Sequence, residues 1–367
     1  MAIEAIEGRV CASADLSAYA TGLLTAVDVD HNSASAVASA VVAASARGVD
    51  THGVRLLPWY LQLVTGGRVN RRPRIEATRK TTAVVHVDAD DGFGHPASYT
   101  AIEEGCRVAA ETGVAAVTVG RSSHHGATGV YTLAAAARGF AAFGVTHADR
   151  VVVPNGGVQA FYGTNPVSFA VPAPGEEPML LDMATSAIPF NRVNLRRSTG
   201  TQLPPDVAVD GGGQATVDPN AAAALMPLGG AVFGYKGAGL AAMVDVLCSA
   251  FTGMGHGATL APLGGPDYGR PIPLGHFFLI LDPSAFQVLA AFDARIGAFL
   301  ADLRAQPAAV GAKVMAPGDI EKAEAQKRRR EGIPVDRATW GELAAAAERL
   351  GVQVPDSADT HSGEFRA

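Results

Sequence analysis

Histidines, an aspartate and many glycines crowd two loops of this 367-residue chain. Gly120 to Tyr131 reads G-R-S-S-H-H-G-A-T-G-V-Y, and Thr146 to Pro166 reads T-H-A-D-R-V-V-V-P-N-G-G-V-Q-A-F-Y-G-T-N-P. Each follows an apolar, β-branched run, and loops at strand ends are where a rigid scaffold presents chemical groups. Imidazole titrates near neutral pH, so His124 can exchange a proton with a ligand without a large pKa shift. A carboxylate such as Asp149 can fix the tautomer of that ring and stabilise its charged form. Taken alone, His124 and His125 are equally ordinary capping or solvated groups at a helix start, and Asp149 an ordinary turn residue.

Three more blocks carry polar groups in suggestive surroundings. Asp50-Thr51-His52-Gly53 opens a helix bearing Arg55, Trp59 and Tyr60. An apolar strand, Met179 to Leu181, runs into Asp182-Met183-Ala184-Thr185-Ser186. Gly234-Tyr235-Lys236-Gly237 stands ahead of an apolar helix to Phe251, where a lysine and free N–H groups at a helix start can hold a phosphate. Lys236 would otherwise be a surface lysine, but the chain has few lysines and this one stands among glycines.

The elements that must position these groups follow from pattern. Asn32 or Ser33 caps a helix with Val37, Val41 and Ala44 on one face and Gly48 as its left-handed stop; the next helix runs from about Gly53 to Val64, with Pro58 in its first turn or at a kink. β-branched runs then mark strands at Ala83 to Val87, Val114 to Val119, Phe140 to Thr146, Val167 to Pro172 and Phe277 to Asp282, between helices ending at Gly113 and Gly139. Helices return at Ser284 to Leu303 and Asp319 to Arg330, and the last opens on Thr339-Trp340-Gly341-Glu342, with the spacing of a capping box. The stretch from Leu195 to Asn220 reads as a long surface loop.

The expected fold is α/β, with a mixed sheet domain at 76–289 inserted into a helical domain made by both chain ends, 1–75 plus 290–352, and a flexible tail at 353–367. Composition agrees with a large buried core, being 48% hydrophobic and 17% charged. The acidic start lacks the basic region of a signal peptide and no apolar run reaches about 18 residues, so a cytoplasmic location and no membrane are expected. A net charge of -6 with mixed signs argues against a nucleic-acid partner, and Lys327-Arg328-Arg329-Arg330 reads as a solvated helix face. Cys11, Cys106 and Cys248 form no C-x-x-C pair and read as core residues. His86, His95 and His147, with His124, His125 and Asp149, lack metal-ligand spacing, so no metal is expected.

Taken together, D-T-H-G, S-S-H-H-G-A-T-G, Y-G-T-N-P, D-M-A-T-S, G-Y-K-G-A-G-L and M-A-P-G-D resemble, in order and spacing, the malate/L-lactate/ureidoglycolate dehydrogenase family, with its diketogulonate and cyclic imino acid reductase relatives. The resemblance spans about Arg47 to Leu350. It implies a non-Rossmann, largely antiparallel sheet, a nicotinamide cofactor (NAD or NADP), a small carboxylate substrate and a homodimer. It implies proton transfer by His124 or by His52, with Thr51 beside it and Asp149 as acidic partner. It also implies substrate contacts from Tyr60 and Thr164, and cofactor contacts from His125, Gly126, Ala148, Asp182, Met183, Ala184, Lys236, Gly237, Pro317 and Gly318. For His125 a packing role is also open.

Two departures matter. The family's arginine five residues after Ser/Thr is Leu56 here, and Arg55 is displaced by about 100° around a helix, so its part in substrate binding does not follow. Ala148 stands where some relatives have a serine. Gly237-Ala238-Gly239-Leu240-Ala241-Ala242 fits G-x-G-x-x-A but lacks the leading strand and the later acidic residue of a dinucleotide fingerprint. The expected activity is hydride transfer between a nicotinamide and a 2-hydroxy or 2-oxo acid, the alternative being reduction of a piperideine- or pyrroline-2-carboxylate. A metal-dependent hydrolase and a non-catalytic nucleotide-binding protein are the readings from other classes.

Overall fold

The computed structural model describes residues 8–355, so the tail expected from 353 onward lies, from residue 356, outside the described residues. The chain opens with β1 (Gly8–Cys11), α1 (Ser13–Ala26) and α2 (His31–Ala46). Asp30, rather than Asn32 or Ser33, caps α2, its carboxylate accepting the Ser33 N–H at 3.0 Å. It stands just before the first helical residue, where side-chain oxygens reach the unpaired N–H groups. Gly48 (φ +79°) turns the chain away, as expected. The helix expected from Gly53 begins instead at Leu57, because Pro58 belongs in a first turn; this is α3 (Leu57–Gly66). Asp50–His52 and Val54–Leu56 form single 3₁₀ turns ahead of it. Gly53 lets that turn close on α2, since a Cβ there would lie 2.0 Å from Ser45 Oγ.

The sheet contains β2 (Glu76–Thr81), β3 (Val84–Asp88), β4 (Val114–Ser122), β5 (Ala141–Thr146), β6 (Val167–Val171), β7 (Met179–Met183) and, late in the chain, β10 (Leu274–Leu281). Their spatial order is β2-β3-β4-β10-β5-β6-β7, and every pair is antiparallel except β3 with β4. That parallel pair is joined by α4 (Gly94–Thr112), as a parallel connection requires. α4 and α5 (Gly129–Ala136) cover one face, where Phe278 and Ile280 of β10 meet Val117, Ile102 and Tyr131. Between β7 and β10 lie α6 (Phe190–Thr199), β8 (Ala208–Val209), β9 (Ala224–Leu225) and α7 (Gly230–Ser249). The alternate residue Phe277 packs with Val244 and Cys248 of α7. Because β10 is antiparallel to both β4 and β5, those two strands run the same way. Their exits, at Ser122 and Thr146, therefore open on one edge of the sheet, where both hydroxyls lie within hydrogen-bond distance of the His276 ring.

The expected surface loop from Leu195 to Asn220 is mostly irregular and exposed, with regular structure only at its start and at one short strand. It begins inside α6 and includes β8, which pairs with β9 over a small core of Val152, Leu203, Ala208 and Leu225. The G-x-G-x-x-A run lies within α7 instead of at a strand-to-helix turn. After β10 come α8 (Leu289–Arg304), α9 (Asp319–Glu331), β11 (Ile333–Asp336) and α10 (Arg337–Leu350). Asp336 caps α10, accepting Thr339 N–H at 3.0 Å, so the cap expected at Thr339 falls three residues earlier in the chain. β1 pairs with β11, and Leu16, Leu23, Tyr60, Ile333 and Leu343 share one core. α9 adds Arg328, buried against Asp50 and the Ser45 carbonyl. All three cysteines are buried and unpaired.

Candidate active site

A cavity of about 740 Å³ lies at the edge where β4 and β5 end. That volume is within the usual range for small-molecule and cofactor sites. Its walls bring together groups distant in sequence, among them His52, His124, Asp149, Thr164 and Asp182. Gly126, Ala148, Met183 and Ala184 complete what the sequence placed there, with Thr51 beside His52.

His124 is fixed at one ring nitrogen. Its Nδ1 lies 2.8 Å from the Tyr60 hydroxyl and accepts the Gly126 N–H at 3.2 Å. An amide N–H cannot accept, so the neutral ring carries its hydrogen on Nε2. Gly126 reaches this position with φ +73°, a conformation suited to glycine. Burial, reinforced by the neighbouring His52, lowers the His124 pKa to about 3. The His52 ring is stacked at 6.0 Å between centroids, its Nδ1 3.0 Å from Thr51 Oγ1, and burial lowers its pKa too.

The expected support of His124 by Asp149 is not made. Asp149 instead accepts the Leu263 N–H at 2.9 Å, and the tautomer-fixing contact on Nδ1 belongs to Tyr60 and Gly126. Burial raises the Asp149 pKa, opposed by the Leu263 N–H and by the charge of Arg68. Asp182 accepts the Gly129 N–H at the start of α5 at 2.9 Å. Its pKa is raised to about 7, first by burial and also by Glu321, against the pull of that N–H.

Other expected site residues lie apart. Arg55 is exposed on its 3₁₀ turn, with its charge felt at Asp336, and is not part of the cavity wall. His125 is buried outside the cavity between Ser98 and Thr128 and stacks on His276 at 4.2 Å, which is the packing role. Lys236 is exposed in the second turn of α7, over the Phe233 ring, while Gly237 presses on Leu228, a wall residue. Pro317 and Gly318 meet Leu180 of β7 behind the wall. Among the described residues no group of three or more His, Cys, Asp and Glu converges to hold a metal.

Sequence reasoning missed Phe190, Asn191 and Asn194, which α6 places on the wall. Pro189 before that helix and Gly200 (φ +63°) after it were the available signal. It also missed Leu263 and Gly264, whose G-G-P run marks a turn but says nothing about what the turn meets.

A mostly antiparallel sheet whose strand ends present a tautomer-fixed histidine beside a long cavity defines an α/β enzyme with room for a nucleotide and a small substrate. The model of the malate/L-lactate dehydrogenase family matches residues 11–344, and the chain belongs to that family. It is 30% identical over 345 residues to a malate dehydrogenase of Pyrococcus horikoshii, covering 92% of this chain and 94% of that one. It is 33% identical over 305 residues to the ureidoglycolate dehydrogenase (NAD(+)) of Escherichia coli K12, covering 82% and 85%. The structure of a Δ1-piperideine-2-carboxylate reductase from Pseudomonas syringae superposes with a TM-score of 0.83 at 27% identity, over 92% of this chain and 100% of that one. The protein is accordingly an NAD(P)-dependent oxidoreductase of this family.

Proposed function

We propose that the protein interconverts a small 2-oxo acid and its 2-hydroxy acid in this cavity, with His124 as the proton-transfer group. The observation that carries the reading is the occupied Nδ1 of His124, which leaves Nε2–H for a ligand in the cavity. A bound nicotinamide supplies or accepts the hydride at the substrate carbon. In the reducing direction the protonated ring of His124, its Nδ1–H held by the Tyr60 hydroxyl oxygen, gives the Nε2 proton to the carbonyl oxygen and is left neutral, solvent resupplying the proton for the next turnover. A carboxylate substrate brings a negative charge that offsets desolvation and raises the imidazole pKa when it binds. Thr51, His52 and Thr164 line the substrate end. Asp182, fixed by the start of α5, keeps its other oxygen for a ribose hydroxyl, with Met183, Ala184 and Gly126 as backbone against the cofactor.

A second reading keeps the cofactor and reduces a cyclic imine carboxylate. One observation favours it: among the described residues no arginine or lysine lines the cavity, whereas Asp149 and Asp182 do, and carboxylates suit a protonated imine nitrogen. Fluorescence titration with NADH and NADPH, then turnover on pyruvate, oxaloacetate, diketogulonate and piperideine-2-carboxylate, separates the readings. Binding of neither nucleotide refutes both.

The same reading includes a helical domain from both chain ends around the sheet domain, a cytoplasmic location and a homodimer. α7 is long and apolar enough to cross a membrane, but one side packs on β10 and β5. Its outer side exposes Val232, Phe233, Tyr235 and Val246, a face suited to a second copy of the chain.

A further inference from the structure

An acid substrate calls for a cation, yet Leu56 replaces the expected arginine and, among the described residues, the cavity wall holds no arginine or lysine. Arg68, just after α3, is 4% exposed and forms no ion pair among the described residues, the charges of Asp267 and Asp149 acting on it from beyond that distance. Its guanidinium is committed to backbone: Nη1 donates to the Leu263 carbonyl at 2.6 Å and Nη2 to the Asp267 carbonyl, with the Tyr268 ring 4.7 Å away. Leu263 and Gly264 are wall residues of the cavity.

The peptide joining them is trans, so its N–H points opposite to the carbonyl that Arg68 holds. That N–H, on Gly264, has no partner among the described residues, and a Cβ on Gly264 would meet nothing within 4 Å. Leu263 is also fixed from the cavity side, its N–H donating to Asp149. The backbone here is thus locked between a cation behind the wall and a carboxylate on it.

We propose that Arg68 anchors the carboxylate of the substrate through the Gly264 N–H. The positive charge polarises the Leu263–Gly264 peptide from its carbonyl end, so that its N–H becomes the anion donor that the missing arginine would have been. Arg68 acts as a positioning residue, because it reaches the ligand only through the main chain. The inference rests on the oxidoreductase reading and holds for both substrates proposed above, since each is a carboxylate.

The test uses the intact protein with NADH or NADPH bound and compares oxamate with its uncharged counterpart oxamide, read from cofactor fluorescence, in wild type, Arg68→Met and Arg68→Lys. Arg68→Met is expected to weaken oxamate about tenfold, the difference between a charge-assisted and a neutral hydrogen bond. Oxamide and nucleotide affinities stay unchanged. Arg68→Lys, which keeps the charge but loses the two-carbonyl fork, falls between. Equal losses for oxamate and oxamide, an oxamate affinity untouched in both variants, or a wild type that does not prefer oxamate overturns the proposal. If Arg68→Met does not fold, the oxamate-to-oxamide ratio of Arg68→Lys decides. Failure of both nucleotides to bind the wild type instead removes the oxidoreductase reading beneath it.

Discussion

At the scale of single residues, the chemistry turns on which atom of His124 is free. Replacing His124 by Ala is expected to lower turnover by about 10² to 10⁴ with cofactor affinity retained, the loss typical of a general acid/base; near-normal turnover would move the role to His52. Tyr60→Phe removes the hydroxyl from Nδ1, and we expect turnover to fall about tenfold, the order of one lost hydrogen bond. Because the free-protein pKa of His124 is about 3, kcat/KM for reduction should show no histidine inflection near pH 6.5. Such an inflection, abolished by His124→Ala, would contradict the buried, neutral ring described here. His124 and Asp149 were legible from residue type and loop position. Their pairing was not, because a sequence does not tell whether Nδ1 meets a carboxylate or the hydroxyl of Tyr60, a residue on a different element.

At the scale of elements, close approach decides what the wall can tolerate. A Cβ on Gly237 would lie 2.3 Å from the Leu228 backbone nitrogen, so Gly237→Ala forces α7 away from a cavity wall. A loss of about 1–3 kcal/mol in stability is expected, as for other overpacking changes, together with weaker nucleotide binding. Unchanged urea midpoint and unchanged affinity would show the approach to be looser. Asp336→Ala, in contrast, removes only the cap of α10 and should cost about 1 kcal/mol with binding intact. Strands with β-branched runs and helices ending in glycine were readable from local pattern. β2 was not, since every residue of Glu76–Thr81 is exposed and no apolar alternation marks it. α6 was hidden by its many polar residues, because its stability comes from tertiary contacts such as buried Val193.

At the scale of the whole molecule, burial of histidines sets the response to acid. His52, His95, His124, His125, His147 and His276 all have lowered pKa values, with burial the largest cause. In the unfolded chain they take up protons below about pH 6.5, whereas folded His124 and His276 do so only near pH 3. The unfolded state therefore binds more protons in that window, and stability falls as pH drops through it. Asp182, raised to about 7, has the opposite sign, losing its contribution as pH rises through that value. Asp149 and Asp245, whose pKa values burial also raises, share that sign, and the six histidines outnumber the three carboxylates. Urea midpoints measured from pH 6.5 downward should decline, and a midpoint that rises on acidification would refute this balance.

The sequence by itself determined the family, the α/β class and the two histidine-bearing loops, because these rest on local residue order: glycine stops, β-branched runs and short motifs. Only the tertiary structure decided that the late strand β10 lies between β4 and β5, and that ordering brings both loops to one edge. It also decided that Tyr60 serves His124, that Arg55 and Lys236 stand outside the cavity, and that Arg68 stands behind its wall. Those outcomes depend on contacts between residues far apart in the chain, where packing and desolvation select the partner and local spacing carries no record of the choice.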